Sequence, residues 1–196
     1  MEDKKMTEQE SLELITRMIN ETQNRTARYA AYPLLIFGYL TVLVSLVIWY
    51  AYFTGFHPWQ IHLLWFLLPL IGGPLTYLFM RKNRATEARN YIDRVTGHIW
   101  TVFGTVALIL SVLTFFVRID ILFLIPLMMG MATMLSGMVS RYRVLQIAGA
   151  VGGLLSVSML FVHSIDKLLI FAGIFVVMMV IPGHLFNKQI KQCLKN

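Results

Sequence analysis

Phe37-Gly38-Tyr39-Leu40-Thr41-Val42-Leu43-Val44-Ser45-Leu46 decides the fold, because its pattern of small residues returns twice further along the chain. Gly38, Thr41 and Ser45 stand at i, i+3 and i+7. So do Gly104, Ala107 and Ser111, and again Gly149, Gly152 and Ser156. At 3.6 residues per helical turn, three positions so spaced share one face. Each copy puts a narrow small-residue stripe on an otherwise apolar helix, the arrangement that lets helix backbones approach closely in lipid. These residues are the expected helix-packing positions.

Working outward, the quoted stretch lies inside an apolar run at 33–53, and comparable runs occupy 61–80, 99–117, 121–140, 144–162 and 168–186. None contains Asp, Glu, Lys or Arg. Runs of about 18 residues or more are long enough to cross a hydrocarbon core of roughly 30 Å. Of the 196 residues 57% are hydrophobic and 14% charged, against roughly a quarter charged in a soluble domain. Charge-free spans account for that deficit and for the mean hydropathy of +0.66. The fold class is therefore all-α: a polytopic integral membrane protein with six transmembrane helices.

A formal charge of +7 raises nucleic acid as a partner, but its distribution reads as topology. Lys and Arg number five in residues 1–32, five in 81–98, two in 141–143 and three in 187–196, whereas the opposite side holds only Arg118 and Lys167. A 15-to-2 split over short loops next to spans is the positive-inside signal. It predicts a multi-pass membrane protein with both termini cytoplasmic, with membrane lipid and not nucleic acid as its surroundings. The polar residues 1–32 ahead of the first run leave no cleavable signal peptide, so the first span directs insertion. The single cysteine, Cys193, excludes an intrachain disulfide.

Residues 1–32 read as a cytoplasmic amphipathic helix. Thr7 followed by Glu10 fits a capping box. Leu12, Ile15, Ile19, Thr22, Thr26 and Tyr29 recur at alternating spacings of three and four. Glu13–Arg17 and Glu21–Arg25 are i, i+4 pairs in the favourable order. Such a helix either rests on the membrane or on the protein's own cytoplasmic loops, or docks a partner; its acidic content disfavours tight adhesion to anionic lipid, where Lys and Arg dominate, and tips the reading towards a protein contact. Pro33 is placed at the first turn of span one, where a missing N–H costs nothing. Gly97 marks a break before span three. Pro69, Pro74, Pro126 and Pro182 are the expected kinks, since proline removes a helical hydrogen bond and clashes with the preceding turn. A basic tail, 187–196, ends the chain.

Spans two and four also repeat, whereas span six breaks the pattern because its proline, Pro182, lies close to the inner end. Phe66-Leu67-Leu68-Pro69-Leu70 returns as Phe123-Leu124-Ile125-Pro126-Leu127, with Gly73 and Thr76 in register with Gly130 and Thr133. The expectation is an internal repeat of three like-oriented helical hairpins, an organisation that occurs among transporters.

Candidate chemistry is sparse. His57, His62, Asp120, His163 and Asp166 gather near span ends on the far side. Convergence of three such groups makes a zinc site, yet their spacing is no ligand motif. His98, His184 and the methionines Met128, Met129, Met131, Met134, Met178 and Met179 read as interface and packing residues. There is no Gly-rich phosphate loop, HExxH motif or Cys-pair site, and the spans lack the ionisable groups of proton relays. The expectation is no catalytic residue, no metal site and no cofactor.

The arm at 10–26, Tyr91-Ile92-Asp93-Arg94 followed by Ile99-Trp100, and Phe103-Gly104 carry a whole-chain resemblance to small uncharacterised six-helix proteins of bacterial inner membranes. The resemblance implies the same fold and location and no particular activity.

Two functions follow as expectations. One is a non-catalytic membrane protein, a regulatory or accessory subunit, acting through a protein partner or homo-oligomer by way of the N-terminal helix or the bundle. The other is a small transporter or channel for a neutral or hydrophobic solute. A membrane-embedded hydrolase using the far-side histidines is a distant third. Topology is open to test by labelling single cysteines at Ser11, Gln60 and Asn196 after Cys193→Ser. Impermeant reagent applied outside is expected to reach Gln60→Cys alone; labelling of either terminus would overturn the topology.

Overall fold

The computed structural model describes residues 7–55, 59–84 and 91–193, and all of its regular structure is helical. Helix α1 runs from Glu8 to Phe53. A 3-10 stretch, Trp59–Phe66, leads into α2, Leu67–Arg84. Then come α3 (Tyr91–Leu113), α4 (Ile121–Val139) and α5 (Arg143–Ser156), the last continued by a 3-10 turn at Val157–Leu160. The final span consists of α6 (Lys167–Phe175), a π-helical turn (Val176–Val180) and α7 (Ile181–Cys193). Six segments are long and apolar enough to cross a membrane: Tyr32–Phe53, Gln60–Phe79, Tyr91–Leu113, Ile121–Val139, Arg143–Leu160 and Lys167–Phe186. A helix bonds its backbone groups within the segment, as hydrocarbon requires, except for the carbonyls that the prolines leave without a donor.

Two boundaries differ from expectation. Pro33 stands in the interior of α1, so arm and first span are one helix of 46 residues. Spanning helices tolerate proline where water or neighbouring groups satisfy the carbonyl it leaves without a donor, and Pro33 sits beside the start of the apolar segment. Gly97 lies within α3 and breaks nothing. The requirement for internal backbone bonding outweighs the ~1 kcal/mol that a helical glycine costs.

The prolines act at different places. In span two the helix type changes at Phe66–Leu67, and Pro69 is the third residue of α2 while Pro74 lies in its interior. Pro126 is buried inside α4. Pro182 is the second residue after the π turn, and between them the Ile181 N–H bonds the Val176 carbonyl five residues back. Without an N–H of its own, Pro182 cannot continue the regular ladder to Met178, and the wider turn sits where the ladder lapses.

Packing sets the order of the spans. α1 lies between α2 on one side and the final span on the other; α5 packs on the π turn and on α4, and α3 packs on α4. The core therefore sits among α1, α4, α5 and the final span, around Met129, Leu145, Met159, Phe175, Met178 and Met179. α2 and α3 are peripheral. Gly72 alone is buried among the described side-chain positions of α2, under the Phe37 ring, and α3 has no buried residue.

The α4–α5 pair meets backbone to backbone. A Cβ on Gly149 would stand 2.5 Å from the Met134 nitrogen, and one on Gly130 would stand 2.8 Å from the Gly149 carbonyl oxygen. A Cβ on Gly137 would lie 2.6 Å from the Gln146 nitrogen. The turn joining the pair is a Schellman motif: Tyr142 N–H bonds the Gly137 carbonyl at 2.8 Å and Arg141 N–H bonds the Met138 carbonyl at 3.1 Å. Arg141 takes the left-handed conformation, φ 54°. Tyr142 then stacks on Phe186 of α7, centroids 4.2 Å apart, tying the turn to the final span.

Gly149→Leu is expected to lower stability in detergent by about 1–3 kcal/mol, the cost of overpacking, because backbone and not a movable side chain occupies the space. Val151→Leu, at an exposed position, and Gly104→Leu, which meets nothing within 4 Å, are expected to change it much less. Equal thermal unfolding of the three variants would contradict this packing.

Candidate functional site

The cytoplasmic arm of the sequence reading is the N-terminal part of α1. Thr7 caps it in extended conformation, φ −68° and ψ 157°. Its hydroxyl accepts from Glu10 N–H at 3.3 Å, and its own N–H donates to Glu10 Oε2 at 2.9 Å. This reciprocal pair satisfies two of the free donors of a helix start. The Thr7 N–H, and after it the Thr7 hydroxyl, hold the Glu10 carboxyl below the usual glutamate range. Leu12 is 70% exposed, and Leu14 is exposed too. The side chains of Ile15, Ile19, Thr22, Thr26 and Tyr29 lie outside the described ones.

The small-residue stripes meet three different surroundings. In α1, Gly38, Thr41 and Ser45 are buried, and a Cβ on Gly38 would stand 3.0 Å from Met179 Cβ. In α5, Gly149 faces α4, Gly152 faces Met178 of the π turn, and Ser156 is buried. In α3, Gly104, Ala107 and Ser111 are half-buried. Each serine bonds within its own helix: Ser45 to the Thr41 carbonyl (2.8 Å), Ser111 to that of Ala107 (2.8 Å) and Ser156 to that of Gly153 (2.6 Å). None of the three serves as an interhelical polar link through these bonds. The hydroxyls of Thr76, Thr96 and Thr133 and the Trp49 indole N–H are buried without a hydrogen-bond partner.

Far-side candidates are drawn into pairs. Lys167 Nζ lies 2.5 Å from Asp120 Oδ2, joining the approach to α4 with the start of α6. Asp166 Oδ2 accepts from Ser164 Oγ at 3.1 Å, and His62 Nε2 is hydrogen-bonded to Tyr52 Oη at 2.9 Å. His163 is exposed, and His57 lies outside the described residues. Among the described residues no three His, Cys, Asp or Glu groups converge as metal ligands would. At the other end His98 is exposed, and His184 Nε2 is hydrogen-bonded to Tyr39 Oη at 2.5 Å, bridging α7 and α1.

Residues that the sequence reading left out of its packing set are Gly130 and Gly137 of α4 and Gly153 of α5. The signal was present: Gly130, Thr133 and Gly137 repeat the same i, i+3, i+7 spacing. Comparison with protein families, with curated proteins and with solved structures finds no match to this chain.

Because the Glu10 carboxyl is held low, its contribution to the helix start is present above the ordinary glutamate value and fades as pH falls through the lowered one. Amide exchange over residues 9–12 of the full-length protein is expected to be faster in Glu10→Gln than in the wild type at neutral pH. The difference should vanish once acid protonates the wild-type carboxyl. A difference that persists in acid would exclude the carboxylate as its source.

Proposed function

We propose that the protein is a non-catalytic regulatory or accessory subunit of the bacterial inner membrane, with both termini in the cytoplasm, whose amphipathic arm docks a protein partner. The observation that carries this reading is the continuity of α1 from Glu8 through Phe53. An arm built as one helix with a spanning segment has its direction set by the packing of that segment.

Helical phase adds support. The buried positions of the spanning part, Leu34, Gly38, Thr41, Ser45 and Ile48, follow spacings of four and three. The arm positions Leu12, Ile15, Ile19, Thr22, Thr26 and Tyr29 follow the same spacings but do not continue into that series, since Tyr29 to Leu34 is a step of five. At about 100° per residue the two seams stand roughly a quarter turn apart. The arm's apolar seam is thus not an extension of the face that packs on the final span. An amphipathic helix in that situation covers its seam with something else, and the acidic first turns favour protein over anionic lipid.

Deleting residues 1–28 is expected to leave the bundle inserted and folded while removing a protein that copurifies with the full-length chain from native membranes. An identical set of bound proteins in both preparations, with the biological effect unchanged, would reject the docking arm in favour of a transporter for a neutral or hydrophobic solute.

A further inference from the structure

The arm positions Leu12, Ile15, Ile19, Thr22, Thr26 and Tyr29 are the first and fourth places of a seven-residue repeat. Their mean period of about 3.5 residues falls just short of a helical turn. A stripe of that period stays in line along two helices wound about each other, whereas on a lone straight helix it drifts. The backbone that carries it is the unbroken helix α1. One place earlier in the series stands Glu8, so the stripe begins at Leu12. There it is uncovered within one chain, since Leu12 is 70% exposed and Glu13, Leu14 and Thr16 beside it are exposed as well.

The charges of the arm stand away from the stripe. Glu13, Arg17, Glu21 and Arg28 take the outer places of the repeat, which a wound partner helix does not reach. The flanking places hold Ser11, Met18 and Arg25 on one side and Thr16, Gln23 and Ala30 on the other. In a parallel pair each residue of the first set faces the partner residue five places further on, so Arg25, the one charge among the six, faces Ala30. Two identical arms therefore bring no like charges together. No acidic or basic flank selects a different strand either, as charged flanks do in coils of unlike chains. Thr22 and Thr26 leave the apolar grip to Leu12, Ile15 and Ile19.

The bilayer supplies what a short stripe lacks. From Leu12 to Tyr29 is about 26 Å of helix, less than the three or four repeats of a free-standing coiled coil. Because α1 continues through Phe53, copies inserted the same way send their arms out from the same surface, level and with the same polarity. Confinement to one membrane raises the local concentration of arms as a linker does. The stripe also lies about a quarter turn from the face by which α1 packs on the final span, so occupying it leaves that contact intact.

We propose that the occupant of the stripe is the same segment of a second copy, the two arms forming a parallel, in-register coil over residues 12–29. The pairing rests on the arm being a docking surface and names the first protein docked there. The outer places of such a coil remain available to a further protein.

Symmetric cysteine cross-linking in native membranes, in the full-length chain carrying Cys193→Ser, tests this. Between helices whose axes lie roughly 8–10 Å apart, facing Cα atoms come to about 5 Å and outer ones stand about 14 Å apart. Only the first separation is within reach of a disulfide. Mild oxidation is expected to give a covalent dimer from Ile15→Cys, Ile19→Cys and Thr22→Cys, and none above background from Arg17→Cys or Asn24→Cys. Two differently tagged copies are expected to copurify when full-length and to separate when both lack residues 1–28. Equal yield at all five cysteine sites, or no dimer at any of them, would overturn the pairing. Either pattern, found together with a foreign protein that is lost with the arm, would overturn the pairing alone and leave a docking arm with another occupant. Either pattern with no such protein would sink both.

Discussion

Met178 and Met179 lie in the π turn of the final span, one on each of two glycines, and the rest of the bundle is arranged about that contact. Met178 is fully buried and fills the space that a side chain on Gly152 of α5 would need; Met179 lies against Gly38 of α1. Between helices in lipid no hydrophobic force distinguishes protein from solvent, and association depends on close van der Waals packing. A flexible thioether pressed onto a glycine supplies that packing without demanding a matched partner shape. The same turn exists because Pro182 interrupts the regular ladder at this level. One backbone irregularity and two glycines thus join α1, α5 and the final span.

From this follows the unequal standing of the six spans. With α1 and α5 both docked on the final span, and α4 locked to α5 through Gly130, Gly137 and Gly149, four spans form a closed core. α2 and α3 have one principal neighbour each. The buried serines Ser45, Ser136 and Ser156 bond carbonyls of their own helices, so these hydroxyls neither hold the core together nor tie the outer spans to it. Between the outer two spans Phe66 stacks on Phe115 where helix packing is marginal among the described residues.

What the sequence made legible was governed by requirements local to one helix. Span number follows from run length against bilayer thickness, and the helix start follows from Thr7 and Glu10, whose spacing alone makes the reciprocal bonds. What was not legible depends on neighbours. Three stripes of identical spacing have three surroundings: a π turn for Gly38, α4 and a methionine for Gly149 and Gly152, and open space for Gly104. Spacing gives the face of a helix but not the element opposite. The pairing of Asp120 with Lys167 bridges 47 positions of sequence, and no local pattern announces it. Pro33 misled for a related reason. Its effect depends on what satisfies the carbonyl behind it, and beside a membrane boundary that is set by surroundings rather than by the helix alone.

The continuity of α1 ties these two levels together. A helix of 46 residues is about 69 Å long, more than twice the thickness of a hydrocarbon core of roughly 30 Å. Its spanning half is clamped at Gly38 by the π turn and bridged to α7 by Tyr39 and His184. A load on the N-terminal half is therefore carried along one helix past α2, where Tyr32 stacks on Phe79, to the point where α1, α5 and the final span converge. Coupling between distant points needs a contiguous packed route, and here that route is a single helix ending on a turn whose backbone bonds already depart from the regular register. α3 lies off this route, packed on α4.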